Sequence, residues 1–130
     1  MVMSDRRPMA SKLIAAIALL CLIAFMFMCL TAIGEKTMVG ETITLPPGGE
    51  KTYYLPPGMV NVEIVRTDTP VDESENSLFG GGRSNGTTRG KTGIDSPWIT
   101  RFTIVNPGKN VTSVSLRITT GFLNPFGYVW

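Results

Sequence analysis

The sequence predicts an all-β domain, a small antiparallel β-sandwich or open barrel of five to six strands, preceded by one N-terminal transmembrane α-helix. Three observations carry this prediction. An uncharged apolar run lies near the N-terminus, short stretches of alternating apolar and polar residues follow it, and proline- and glycine-rich breaks separate those stretches.

The run is residues 13–33, LIAAIALLCLIAFMFMCLTAI. Its twenty-one residues, at a rise of 1.5 Å each, make a helix about 31 Å long, enough to cross a bilayer. Arg6, Arg7 and Lys12 against Asp5 leave residues 1–12 at +2, whereas residues 35–130 hold nine basic and nine acidic residues and sum to zero. The positive-inside rule then puts residues 1–12 in the cytoplasm and residues 34–130 outside, extracellular or periplasmic. A cleaved signal peptide is the rival, with Ala32-Ile33-Gly34 before Glu35 as its processing site. Signal cores run to about 7–15 apolar residues, so the longer run favours a signal anchor that is retained. Bulky residues before Cys21 and Cys29 argue against lipoprotein processing, and no other cysteine is present to build disulfides.

The strands follow in order. Residues 38–45 and 51–55 meet at a first LPPG (45–48) followed by Gly49-Glu50, and a second LPPG leads into 59–66, where Val60, Val62 and Ile64 share a face. Pro47 and Pro57 suit the second position of a type II turn, with Gly48 and Gly58 at the third. The two corners read as a β-meander. Residues 98–105 place Trp98, Phe102 and Ile104 on one side, and residues 111–119 do the same for Val114, Leu116 and Ile118. Asn106-Pro107-Gly108-Lys109-Asn110 between them predicts a hairpin over 98–119. Between these groups lie residues 67–97, with DESEN and FGGGRSNGTTRGKTG, which read as a flexible glycine-rich loop. The predicted core is Val60, Val62, Ile64, Phe102, Ile104, Val114, Leu116 and Ile118. The LPPG, short strand, LPPG, valine-rich strand pattern resembles the opening of small secreted β-sandwich modules appended to proteases and trafficking proteins, and it carries no function with it.

Chemical motifs are scarce. NGTTRGKT, residues 85–92, imitates a phosphate-binding loop, but the first glycine is one position late and no buried strand precedes it. The chain has no histidine, which removes imidazole-assisted nucleophiles and histidine metal sites. Asp68, Asp72, Glu73, Glu75 and Asp95 lack the spacing of a calcium loop and read as a solvated acidic surface. Asn85 and Asn110 head N-glycosylation acceptor patterns, on predicted turns or loops. Ser11, Ala15, Ala18, Cys29 and Ala32 fall near one helical face, where small residues would admit a neighbouring membrane helix. Phe122, Phe126, Tyr128 and Trp130 crowd the C-terminus, either as a last strand closing the core or as an aromatic foot for a partner or the membrane interface.

Together these features lead to the expectation of a non-enzymatic single-pass membrane protein without a cofactor. Its outer β-domain would be an accessory or structural subunit of a larger membrane or envelope assembly. The expected partners are other membrane or envelope proteins, or further copies of the chain, and the lipid bilayer through residues 13–33. A neutral outer domain gives no electrostatic footprint for nucleic acid. The alternative is a surface recognition or adhesion protein, cellular or viral, that binds an external ligand through residues 67–97. Cleavage of the apolar segment would make it a secreted binding protein instead.

Overall fold

The computed structural model describes the backbone of residues 2–78 and 80–128, with side chains from residue 9 onward. Among these residues one helix, α1 (Val2–Thr31), precedes eight strands. They are β1 (Lys36–Leu45), β2 (Glu50–Leu55), β3 (Gly58–Thr67), β4 (Val71–Ser77), β5 (Gly80–Thr87), β6 (Gly90–Ser96), β7 (Thr100–Val105) and β8 (Thr112–Thr120). A single 3-10 turn, Pro125–Tyr128, follows β8. The residues from Met9 to Thr31 are long and apolar enough to cross a membrane, a test that a signal sequence also passes.

The strands form two four-stranded antiparallel sheets, in the orders β1-β8-β3-β6 and β2-β7-β4-β5. Only β4 and β5 are neighbours both in sequence and in a sheet; every other connection between consecutive strands crosses from one sheet to the other. Eight strands in this order make the two interleaved Greek keys of a jelly roll. Period-2 alternation explains why each strand buries one face. All eight residues of the predicted core are buried, and Leu45, Leu55, Val71 and Ile94 complete one cluster that draws on both sheets.

Four expectations need correction. The strands number eight, not five or six, because residues 67–97 hold β4, β5 and β6 where a flexible loop was predicted. β4 escapes sequence reading because two of its inward positions, Glu73 and Glu75, are carboxylates, and β5 because it is largely glycine. Strand pairing supplies what their propensities lack, since β4 pairs with β7 from Asp72↔Val105 to Asn76↔Arg101 and carries β5 on its other edge.

The hairpin over 98–119 does not form, since β7 pairs with β2 and β4 while β8 pairs with β1 and β3. The meander fails for the same reason, with β1 and β3 in one sheet and β2 in the other. Turn residues announce that a chain reverses, but not which sheet it rejoins. Asn106 decides this at one corner. Its amide Nδ2 donates to the carbonyls of Leu45 (3.1 Å), Pro46 (3.2 Å) and Asn110 (2.8 Å), and its Oδ1 accepts from Gly108 N (3.0 Å). Two backbone bonds between Asn106 and Gly48-Gly49 close the same corner. The end of β7 is thereby tied to the turn between β1 and β2.

Finally, Trp98 is not part of β7 and is exposed, so the strand begins two residues later than predicted, at Thr100.

Candidate functional site

The two LPPG copies take different roles. The first is a closed type II turn: Gly49 N donates to Pro46 O (2.8 Å), and Gly48 adopts a φ of 71° that a side chain would resist. At the second, the amide of Met59 finds no turn carbonyl and donates instead to Thr31 Oγ1 at 2.9 Å. Gly58 has φ 112°, and a Cβ there would lie 3.0 Å from Thr31 Cγ2 and 2.7 Å from Asn124 Nδ2. This copy is therefore the seat of the helix end.

Thr31 is fully buried. Its hydroxyl donates to Met28 O (2.8 Å) within the helix while accepting from Met59 N, so one oxygen joins the last turn of α1 to the start of β3. Its carbonyl, one of those a helix C-terminus leaves unpaired, accepts from Gly121 N (2.7 Å), and Ile33 O accepts from Phe122 N (3.0 Å). Asn124, also fully buried, donates to Pro57 O (3.1 Å) and Thr120 Oγ1 (2.9 Å), while Thr120 Oγ1 donates to Met59 O (2.7 Å). Each LPPG corner is thus held by a buried asparagine that precedes a proline, Asn106 at the far end and Asn124 at the helix end. A network this fully paired leaves the connection between helix and domain little freedom.

Phe122, Phe126 and Tyr128 gather around the same junction. Among the described residues they form no last strand and do not close the core, because Phe122 is exposed and no residue of Pro125–Tyr128 is buried. Phe126 meets Phe27 of α1 edge to face, with centroids 6.2 Å apart. Phe122 lies against Gly34, where a Cβ would strike its ring. Tyr128 donates to Phe122 O (3.1 Å) and receives Lys36 Nζ over its ring at 2.8 Å. Trp130 lies outside the described residues. Ser11, Ala15, Ala18 and Cys29 are exposed along α1, and Ala32 falls one residue beyond it. Asn110 is exposed within the β7–β8 connection, as expected; Asn85 is exposed too, but within β5 and not in a turn.

A second feature escaped sequence reading. The edge strands β5 and β6 leave a cleft of about 210 Å³ lined by Glu73, Glu75, Arg83, Thr92 and Phe102. Glu73 is buried, not solvated as expected, and Glu75 Oε2 is buried without a hydrogen-bond partner among the described residues. Burial raises the Glu73 pKa above the usual carboxylate range and the charge of Glu75 adds to this, against a lowering bond from Thr87 Oγ1. Among the described residues no group of three or more His, Cys, Asp or Glu converges to hold a metal.

A raised acid pKa has a definite sign for stability. The folded state holds this proton to higher pH than the unfolded chain does, so the stabilising contribution is present at low pH and is lost as pH rises through the folded pKa. Glu73→Gln keeps the shape and removes the charge. Melting curves in detergent should therefore place Glu73→Gln above the parent at pH 7, with a smaller difference at pH 4; a variant melting below the parent at pH 7 would contradict the burial argument.

No family model matches this chain, and neither does any curated protein. Among solved structures it is similar to a de novo designed double-stranded β-helix, at 19% identity and a TM-score of 0.43, covering 63% of this chain and 97% of the other. It is also similar to a cupin domain from Bordetella pertussis Tohama I, at 14% identity and a TM-score of 0.35, covering 69% and 94%. The strand order, not these likenesses, carries the fold assignment. One expectation is nevertheless corrected. The jelly roll assigned from the strand order hosts many unrelated functions, so the fold gives no ground for a non-enzyme and that prediction is withdrawn.

Proposed function

We propose that this chain is a single-pass membrane protein whose helix is a retained anchor, with the N-terminus cytoplasmic and the β-domain outside. In this reading the two sheets stack as a sandwich, and the domain is an accessory or structural subunit of a larger membrane or envelope assembly. The observation that carries the reading is the burial of Thr31. A signal peptide is removed during export and has no place in the mature fold, yet cleavage before Glu35 would remove Thr31 and Ile33, which bond to Met59, Gly121 and Phe122. A residue placed to complete the fold belongs to the mature chain. The exposed small residues of α1 and the unpaired edges of β5 and β6 offer surfaces to neighbouring subunits, in the bilayer and above it.

A second reading has the cleft in its favour. Recognition of an external ligand through residues 67–97 would use the inward carboxylates Glu73 and Glu75, since β4 and β5 form one wall of that opening. Removal of residues 78–93 cannot test it, because that would delete β5 and part of β6; Glu75→Gln is the appropriate change. Extraction in mild detergent followed by sizing separates the two readings. A subunit should migrate with partner chains or further copies of itself, and a free monomer would exclude the assembly role.

A further inference from the structure

We infer that the helix end of the β-domain is seated in the headgroup layer of the bilayer that α1 crosses, with Ile33, Trp98, Ile99, Phe122, Leu123 and Tyr128 as its lipid-facing rim. This rests on the reading of α1 as a retained anchor and adds to it the position of the domain on the membrane.

Three observations support it. First, the apolar span ends at Thr31, and Thr31 is buried in the domain, so no linker separates the two. The span's 23 residues measure about 35 Å at 1.5 Å per residue, which brings Thr31 to the boundary of a hydrocarbon core of about 30 Å. Second, Phe126 packs on Phe27, a residue inside the span. Phe27 lies four positions before Thr31, about 6 Å along the axis, so the 3-10 turn reaches down beside α1 to the level of the interface.

Third, apolar side chains surround the entry point and remain exposed. Ile33, Trp98, Phe122, Leu123 and Tyr128 are each more than half exposed. Ile33 and Phe122 are joined by a backbone bond, and Leu123 follows. Trp98 reaches the same end through register: its amide bonds Ser96 Oγ, Ser96 pairs with Gly58, and Gly58 lies against Thr31. Water is a poor solvent for such a collar, whereas Trp and Tyr partition into the interfacial layer.

The nearby charges identify the lipid chemistry. Glu35 pairs with Arg117 (3.3 Å), Lys36 lies over Tyr128, and Asp95 is acidic, so the rim has no basic cluster. Seating should therefore come from aromatic and aliphatic burial and should occur on zwitterionic phosphatidylcholine, without anionic lipid.

The test uses the full chain carrying Trp130→Phe, which leaves Trp98 as the one tryptophan, and Cys29→Ser, which leaves Cys21 in mid-span. It is reconstituted in phosphatidylcholine vesicles. Cys21 should resist a membrane-impermeant maleimide. Trp98 emission should be quenched at least about twofold more by lipid labelled near the headgroup than by lipid labelled at the acyl end, equally at low and high salt. Protected Cys21 with unquenched Trp98 would overturn the seating and leave the anchor standing. Quenching that disappears at high salt would overturn the apolar basis. A labelled Cys21 would remove the anchor and the seating together.

Discussion

Gly121→Ala is expected to lower stability by about 3 kcal/mol, at the upper end of what overpacking a tight contact costs. Gly121 is buried, and its amide bonds the Thr31 carbonyl at 2.7 Å. A Cβ at this position would fall on that carbonyl and come within 2.8 Å of Ile33 O. Both neighbours are backbone, so neither can swing aside as a side-chain tip would. The strain is relieved only by parting the C-terminal segment from the helix end. That breaks the bonds to Thr31 and Ile33 together and frees residues 121–128. Melting in detergent micelles should report the loss, and limited proteolysis should show new cleavage after Phe122 or Leu123. Gly90→Ala is the control, since nothing lies within 4 Å of a Cβ at Gly90, and it should shift stability by less than about 0.5 kcal/mol.

Asn106→Ala is expected to cost a similar amount, about 3 kcal/mol, at the opposite end of the domain. The substitution leaves the carbonyls of Leu45, Pro46 and Asn110 without the amide donor they share, and Gly108 N without its acceptor. Each buried polar group left unpaired costs about 1–3 kcal/mol, and water readmitted at the corner recovers part of this. Asn124→Ala removes the corresponding bonds to Pro57, Thr120 and Phe126. The two variants should melt alike but differ in proteolysis, because only Asn124→Ala loosens the segment that packs on α1. Asn110→Ala, whose side chain is exposed, should be neutral. Equal protease sensitivity of Asn106→Ala and Asn124→Ala would contradict the division of labour between the two corners.

What could be read from the sequence was whatever depends on local pattern. Alternation in 59–66, 98–105 and 111–119 located β3, β7 and β8 to within about two residues and identified eight core side chains, because burying one face of a strand leaves a period of two. The helix was legible from its uncharged length. Sheet assignment was not, because it depends on bonds between residues far apart in the chain. Asn106 to Pro46 spans sixty residues and Asn124 to Pro57 sixty-seven.

The open side of the domain was hidden for a different reason. Glu73 and Glu75 occupy inward positions of β4, and glycine fills much of β5, so the signals of a strand were replaced by those of a solvated loop. The C-terminal aromatics were seen as a cluster, but their place beside Phe27 required the helix end to be docked first. The sequence does carry a local sign of the two corners: its two Asn-Pro pairs, at 106 and 124, match the two LPPG copies in number.

The proposal that the helix belongs to the mature, folded protein is tested most directly by the intact mass of the chain extracted from membranes. A chain that retains the residues before Glu35, Thr31 among them, is the expected result. A mature chain beginning at Glu35 would contradict it, because Thr31 would then be absent from the junction it completes.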